Sequence, residues 1–517
     1  MKGMASVLMK PVPKKKITGF KPAGFLKGLV LGFSRLPQNN ASLWRKRRSG
    51  ISAFYEEGIY SQIWITLTSG KFLTDLALFL GSSAFHLGLI NAIPFLAAPA
   101  QLLGAFLIHR SGSRKTVLLP SAFISRQIWW LILILILLPI DSMYKIWIFI
   151  LLFAACHVSG QIAGNAWMDW LGVLIPDDMR GRVVAFRNGI LIFVALLADF
   201  LLSQIREDLG SSLRWLFLVL CLLAASLSGL KSVMAFKNQW EPPGKPETPP
   251  RFGAVLKQFF SHKPIRRLLL ALVTWNIAVG VAISFWAPHM IMYLHLSFTT
   301  IFFYSAIVTL GNFFMSRYIW GDVIDRSGNV PVVLLCTIAI SCIPFFWFLI
   351  TPDKLTFLWI EALLNGLAWS GFNVGIFNLP YVILPRKNRS YFFAILAALS
   401  GLTLGMGAIM GGVIAQICRD MQIEILGFTV INYHVTFLLS GILRWCCVFL
   451  MKGIPESHSR GMVHMLRAVG DGLVRLRTNP RLLFVNAAPV IRRPPRKRKK
   501  NRKSRRRRIP ARKDSDS

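Results

Sequence analysis

The sequence predicts an all-α polytopic membrane protein, with twelve transmembrane helices arranged as two six-helix pseudo-repeats. Three observations predict it. The 517-residue chain is 54% hydrophobic with a mean hydropathy of +0.52, more apolar than a soluble globular domain. Twelve apolar stretches approach the ~20 residues that a helix needs to cross a hydrocarbon core. Finally, two loop sequences recur at nearly equal offsets in matching places of the two halves.

The net charge of +38 sits mainly in two arms. Residues 1–57 carry 12 Lys/Arg against 2 acids, and residues 452–517 carry 21 against 4. The body between them is the apolar part. Seven cysteines lie almost all within apolar segments, at no metal-ligand spacing with histidines, and their odd number argues against a disulfide framework. The stretch GFLKGLVLGF (24–33) is short, interrupted by Lys27 and without a small-residue cleavage site, so it does not read as a signal peptide. The arm is acid-free up to Glu56, a composition shared with organellar transit peptides.

In the N-terminal six-helix bundle (58–235) the spans are expected at 59–82, 87–108, 116–139, 145–168, 189–205 and 213–235. In the C-terminal bundle (267–451) they are expected at 268–289, 297–319, 330–350, 355–379, 391–417 and 428–451. The connecting segment 236–266 contains EPPGKPETPP, whose prolines mark a linker. Lys and Arg concentrate in one set of loops: Arg110, Arg114, Lys115, Arg180, Arg182, Arg187, Arg326, Arg386, Lys387 and Arg389. The opposite loops hold only Lys145, Arg206, Arg214, Lys354 and Arg419. The positive-inside rule then makes the linker and both termini cytoplasmic, in a cell (inner or plasma) membrane.

The repeat shows in two pairs. HRSGSRKTVL (109–118) returns as DRSGNVPVVL (325–334), an offset of 216, and LIPDDMRGRVVA (174–185) aligns with ILPRKNRSYFFA (383–394), an offset of 209. Parallel repeats about an axis along the membrane normal are a transporter architecture. Together with Gly321, Asp325, Arg326 and Gly328, which form G-x-x-x-D-R-x-G, the chain resembles the major facilitator superfamily over roughly 58–451. The segment WMDWLGVLIPDDMRGRVVAFRN (167–188) is similar to a bacterial subgroup of that superfamily without a known substrate. The chain departs from the pattern in the loop between spans 2 and 3, where His109 stands in place of the Asp and Ala105 in place of the first Gly. It also lacks the Gly/Pro-rich motif of drug/proton antiporters in span 5 and the intramembrane Arg of proton-coupled members in span 4.

The resemblance implies that these loops gate the cytoplasmic side. Asp325 and Arg326 are expected to face Asp177, Asp178 and Arg180 and to latch that side shut. The opposite contact sets the loop around Gly112 (His109, Arg110, Arg114 and Lys115) against Arg386, Lys387 and Arg389, cation against cation, and should be weaker unless an anionic lipid, Asp177 or Asp178 intervenes. The bland reading is that these residues only set topology.

Ionisable groups inside a span default to functional candidates. They are Lys71 and Asp75 (span 1), Arg126 (span 3), His157 (span 4) and Asp199 (span 5). Lys71 counts to near the midplane, and its i, i+4 spacing from Asp75 predicts a mutual pair. The resemblance makes spans 1, 4, 7 and 10 the walls of a central cavity. Two polar stripes at helical spacing support that: His157, Gln161 and Asn165 on span 4, and Asn365, Trp369 and Asn373 on span 10, joined by Trp275 and Asn276 of span 7. The alternative for such amides is interhelical packing. Arg317 and Arg444 are expected to snorkel, and Glu361 and Asp169 to be interfacial.

The segment 492–513 is low-complexity and polybasic, expected to be disordered and attracted to anionic lipid headgroups. No aromatics interleave its cations, so no specific nucleic-acid partner is expected. VHMLRAVGDGLVRLR (463–477) has an amphipathic period suited to a membrane surface. The expected function is secondary active transport of a small, polar or zwitterionic solute across the bilayer by alternating access, with a proton or sodium ion as the candidate coupling ion. No catalytic residue, metal site or cofactor is expected. A transport-inactive receptor or scaffold of the same fold is the alternative, and a multi-pass membrane enzyme a weaker one.

Overall fold

The structure is a computed structural model, and it describes residues 41–175, 177–238, 240–241, 252–383, 389–425, 428–456, 459 and 461–478. Span 1 is built from α1 (Ala41–Thr68) and α2 (Gly70–Phe79), and span 2 from α3 (Ala84–Leu96) and α4 (Ala100–Ser111). Spans 3 to 6 are α5 (Arg114–Leu137), α6 (Ser142–Leu174), α7 (Asp177–Asp208) and α8 (Arg214–Asn238). The linker contributes α9 (Phe252–Ser261). Span 7 joins α10 (Lys263–Ile283) to α11 (Trp286–Pro288) and a π-turn, His289–Tyr293. Span 8 joins α12 (Phe298–Met315), a π-turn and α13 (Gly321–Ser327). Spans 9 to 12 are α14 (Asn329–Phe346), α15 (Thr356–Ile383), α16 (Arg389–Ile417) and α17 (Asn432–Lys452), and α18 (Met462–Thr478) follows. Among the described residues, ten of the spans are apolar enough along 18 residues or more to cross a membrane. Spans 1 and 10 fill the remaining places.

Span 1 is longer than its hydropathy suggests, because the helix starts at Ala41 rather than near residue 59. It breaks at Ser69, where Gly70 takes a positive φ of 59°. A β-hairpin not foreseen from the sequence, β1 (Gln422–Ile425) with β2 (Phe428–Ile431), joins spans 11 and 12. The Tyr293 hydroxyl donates to Thr429 O at 3.2 Å and ties the hairpin to span 7.

The repeat is visible in the packing. Span 1 packs on spans 5 and 6, and span 3 on spans 4 and 6; span 7 packs on spans 11 and 12, and span 9 on spans 10 and 12. Each half has its own apolar core. That of the C-terminal half is continuous, whereas that of the N-terminal half divides into a cluster around Phe72, Trp129 and Phe217 and another around Phe54, Trp170 and Ile175. Large apolar side chains such as Leu137, Leu151, Phe193 and Phe449 point outward, as a surface solvated by lipid tails requires.

Between the halves, span 2 packs on span 11 and span 5 on span 8. A Cβ on Gly88 would lie 2.7 Å from Gly412 Cα, and one on Gly401 2.9 Å from Phe95 O. These glycines let the two backbones touch. The loops 2–3 and 8–9, the start of α1, α9 and α18 share one face, the basic face below. The named contacts between halves lie from mid-span to the opposite, far face.

Candidate functional site

The far-face contact is polar. Lys71, in α2, is 7% exposed. Its Nζ lies 3.0 Å from Asp199 Oδ1 of span 5, donates to Ser203 Oγ at 2.8 Å, and donates to Phe298 O of span 8 at 3.0 Å. The rings of Phe72, Phe298 and Phe302 surround the ammonium at 5.3 to 5.9 Å. Beside it, Glu207 of span 5 accepts from Thr299 N at 3.2 Å and from Thr299 Oγ1 at 2.5 Å. It thereby satisfies one of the free N–H groups at the start of span 8, and Ser297 Oγ accepts from another, that of Thr300. Gln204 donates to the same hydroxyl at 3.0 Å. One cation and one carboxylate of the N-terminal half thus hold the first residues of span 8.

This corrects two expectations. Lys71 lies near the far face rather than the midplane, because it neighbours the first residue of α12. Nor does it pair with Asp75, which instead meets Arg206 Nε at 3.1 Å and Arg214 Nη2 at 2.7 Å. A Lys placed before an Asp in a helix is the weaker order of such a pair, and each residue meets a better-placed partner on a neighbouring helix.

Arg126 sits between the two apolar clusters of the N-terminal half. Its Nη2 lies 3.5 Å from Glu57 Oε1 and donates to Ser61 Oγ at 3.0 Å, and its Nη1 donates to Ser232 Oγ. Arg187 Nη2 meets the other oxygen of Glu57 at 2.9 Å. Two guanidinium groups therefore share one carboxylate that is 2% exposed, joining spans 1, 3, 5 and 6. Glu57 falls within the expected N-terminal arm, since its helix starts earlier than hydropathy alone indicates.

The predicted stripes are only partly brought together. Gln161 accepts from Gln101 Nε2 at 2.6 Å and donates to Pro94 O at 3.0 Å, and Asn165 abuts Gly104; both face span 2. His157 is half-buried against Phe153, 4.4 Å between centroids. Trp275 is buried, packing on Trp369 (6.0 Å) and Phe372 (4.7 Å), while the amide nitrogen of the neighbouring Asn276 has no partner. Asn365 turns to Tyr304 and Glu361. Asn373 is exposed. Arg444 and Glu361 are not interfacial; they are 2% and 0% exposed inside the C-terminal half.

At the basic face the twin loops share their backbone. Gly112 and Gly328 both take positive φ, 68° and 89°, a conformation that favours glycine. Each following helix receives a carboxylate at its N-terminus. Glu241 accepts from Arg114 N (2.6 Å) and Lys115 N (3.3 Å); Glu456 accepts from Asn329 N (3.0 Å) and Val330 N (2.8 Å). These glutamates lie 215 residues apart, the same repeat as the loops, and repeat analysis extended past spans 6 and 12 finds them. Arg114 also pairs with Asp169 at 2.5 Å. Arg326 meets Asp322 (3.7 Å) and Asp471 of α18 (4.0 Å), whereas Asp325 and Arg110 are exposed; Gly321 begins α13. The side chains of Asp177, Asp178, Arg180 and Arg389, and all of Arg386 and Lys387, lie outside the described residues. α18 docks on this loop, burying Met465 and Ala468 and placing His464 Nδ1 3.3 Å from Ser327 Oγ.

Comparison with known proteins agrees with this architecture. The Major Facilitator Superfamily profile matches residues 58–408, while the curated proteins give no significant match. Among solved structures, the chain is similar to a D-xylose-proton symporter (17% identity, TM-score 0.58, covering 80% of this chain and 99% of that one). It is also similar to a mutant form of the nucleoside transporter NupG (13%, 0.57, 78% and 99%) and to a bacterial homologue of the iron transporter ferroportin in an inward-facing state (14%, 0.54, 79% and 98%). A profile covering more than half the chain, on two six-helix halves joined by a Pro-rich linker, places this protein in the Major Facilitator Superfamily.

Proposed function

We propose that the protein is a secondary active transporter that moves a small polar or zwitterionic solute by alternating access. The observation that carries this is the asymmetric contact between halves. They meet through the Lys71–Asp199–Phe298 and Glu207–Thr299 groups near the far face, and no comparable contact joins them at the basic face among the described residues. Such a contact can be made and broken as the halves rock. The concentration of Lys and Arg in the basic-face loops supports reading that face as cytoplasmic in a cell membrane, and the arrangement of the halves as an inward-open state. His157, Trp369 and Asn373 are the groups offered to solute from spans 4 and 10. Proteins of similar structure include a nucleoside transporter, a D-xylose-proton symporter and a bacterial metal transporter, whose solutes are small and polar.

In the outward-open state Asp325 and Arg326 latch against the start of span 5, and the polybasic segment 492–513 associates with anionic headgroups. A solute screen by thermal stabilisation of the purified protein tests the central claim, since a ligand that binds the folded state raises its apparent stability. The stabilising solute should then be taken up by proteoliposomes, and Asn373→Ala should weaken its uptake. Stabilisation without uptake in either direction would point to a receptor. Asp325→Asn should slow uptake more than His109→Ala, and equal rates would count against an asymmetric latch.

A further inference from the structure

The outward side of α18 is apolar and exposed. Met465 and Ala468 join the apolar core of the C-terminal half, and Val469 packs half-buried beside them. Val463, Leu466 and Val474, by contrast, are 64%, 50% and 60% exposed. At 3.6 residues per turn these three fall on one side of the helix, opposite Met465 and Ala468. Arg467 is exposed at the edge of that side.

The helix stands level with the end of a span. Near its start, His464 Nδ1 lies 3.3 Å from Ser327 Oγ, at the loop between spans 8 and 9. Two turns later, a Cβ on Gly472 would lie 3.7 Å from Ile319 Cγ2. Ile319 closes the apolar run expected for span 8 and precedes Ser327 by eight residues, about 12 Å of helix. α18 therefore climbs from the loop to the boundary where hydrocarbon gives way to headgroups. An amphipathic helix at that boundary buries its apolar side about 5–10 Å into the headgroup and acyl region.

The charges around this side identify its partner. Arg475, Arg477 and Arg481 follow Arg467 in the sequence, and 492–513 holds 15 Lys/Arg and no acid. The one acidic residue of α18, Asp471, is turned to the loop, with Oδ2 4.0 Å from Arg326 Nη1. An exposed aliphatic side flanked by cations fits an anionic bilayer surface. A second copy of the chain would set the same cations against these and fits less well.

We propose that α18 is an interfacial anchor and a brake on the latch. Its Val463, Leu466 and Val474 side lies in the leaflet at the basic face, held there by anionic headgroups, while its Met465 side grips the end of span 8. Asp471 then keeps Arg326 on its own half, beside Asp322, where it is not available to latch against the start of span 5. An exposed ion pair of this kind is weak by itself; the docked and anchored helix is what keeps Asp471 within reach. Anionic lipid therefore favours the arrangement with an open basic face. The anchor stands without the transporter reading above, whereas the brake rests on it.

Hydrogen–deuterium exchange of the full-length protein in lipid nanodiscs tests the anchor without any flux measurement. Amide exchange across 462–478 should be several-fold slower in discs containing phosphatidylglycerol than in phosphatidylcholine alone. Val463→Ser/Leu466→Ser/Val474→Ser leaves the docked side and the polybasic segment intact. It should lose that difference while melting within a few degrees of wild type. Equal exchange in the two lipids, or a lipid effect that survives the triple substitution, would overturn the anchor. So would protection that follows two copies per disc rather than lipid charge. For the brake, spin-label distances between the basic-face ends of spans 5 and 8 should favour the open population about fivefold more in the anionic discs, the low end of conformational couplings. Asp471→Asn should reduce that preference. Distances that respond to solute but not to lipid would overturn the brake alone; distances that respond to neither would count against alternating access as well.

Discussion

The ammonium of Lys71 lies 3.0 Å from Asp199 within the N-terminal half and 3.0 Å from the Phe298 carbonyl of the C-terminal half. The same cation therefore belongs to a pair within one half and to a contact between halves, and in the proposed alternating-access cycle the second contact ends when the halves part at the far face. When Phe298 moves away, Asp199 and Ser203 still satisfy the ammonium, so opening costs one charge-assisted hydrogen bond rather than an uncompensated charge.

Replacing Lys71 with Met should shift the equilibrium toward an open far face by about tenfold or more, within the ~1–3 kcal/mol range of conformational couplings. Spin-label distances between the far-face ends of spans 5 and 8 would report it as a growing long-distance population. Asp199→Asn should act in the same direction but less strongly, because the Phe298 contact survives. Unchanged distance distributions in both variants would mean that this contact is not a gate.

The sequence made the scaffold legible because span length and repeat are local properties. Hydropathy located the spans, and the offset of 216 located the loops whose glycines have positive φ. Partner choice was less legible. Lys71 has Asp75 one turn away, yet meets Asp199, since the winner depends on which helices pack together. Glu361 and Arg444 were placed by counting from expected span ends, which gives depth but not the direction a side chain faces. Glu57 was hidden by a helix that begins 18 residues before its apolar run. In each case the missing information is tertiary.

The Glu57 cluster supplies a stability prediction. Glu57→Gln leaves the guanidinium groups of Arg126 and Arg187 buried together without their shared carboxylate. Removing one member of a buried charge network costs about 3–5 kcal/mol. Thermal melting in nanodiscs should show a large drop for Glu57→Gln and partial recovery in Glu57→Gln/Arg187→Met, which removes one of the two stranded charges. A melting temperature unchanged by the single substitution would show that the cluster is solvated in the membrane-embedded protein.

The paired helix caps should behave alike. Glu241 and Glu456 each accept from two backbone N–H groups at the start of a span, with a favourable interaction with the helix dipole. Glu241→Gln and Glu456→Gln should each cost about 1 kcal/mol. Because they belong to different halves, the losses should add in the double variant to within ~0.5 kcal/mol. Marked non-additivity in denaturant unfolding would imply that the two caps communicate through the interface between halves.

Two glycines separate packing within a half from packing between halves. A Cβ on Gly411 would lie 2.0 Å from Val281 O of span 7, inside the C-terminal half. A Cβ on Gly88 would lie 2.7 Å from Gly412 Cα and 2.8 Å from Ala408 O, across the interface between spans 2 and 11. Both clashes are with backbone, which cannot rotate out of the way, and overpacking of this kind costs about 1–3 kcal/mol. For Gly411→Ala the strain is present in both states of the transporter, so melting should fall while the spin-label distances stay unchanged. For Gly88→Ala the strain is specific to the closed far face and is relieved when spans 2 and 11 separate. That variant should melt closer to wild type and shift the distances toward far-face opening, in the same sense as Lys71→Met. If Gly88→Ala instead melted as low as Gly411→Ala with no shift in distance, spans 2 and 11 would stay in contact throughout the cycle and act as its pivot, leaving the span 5–span 8 contact as the part that opens.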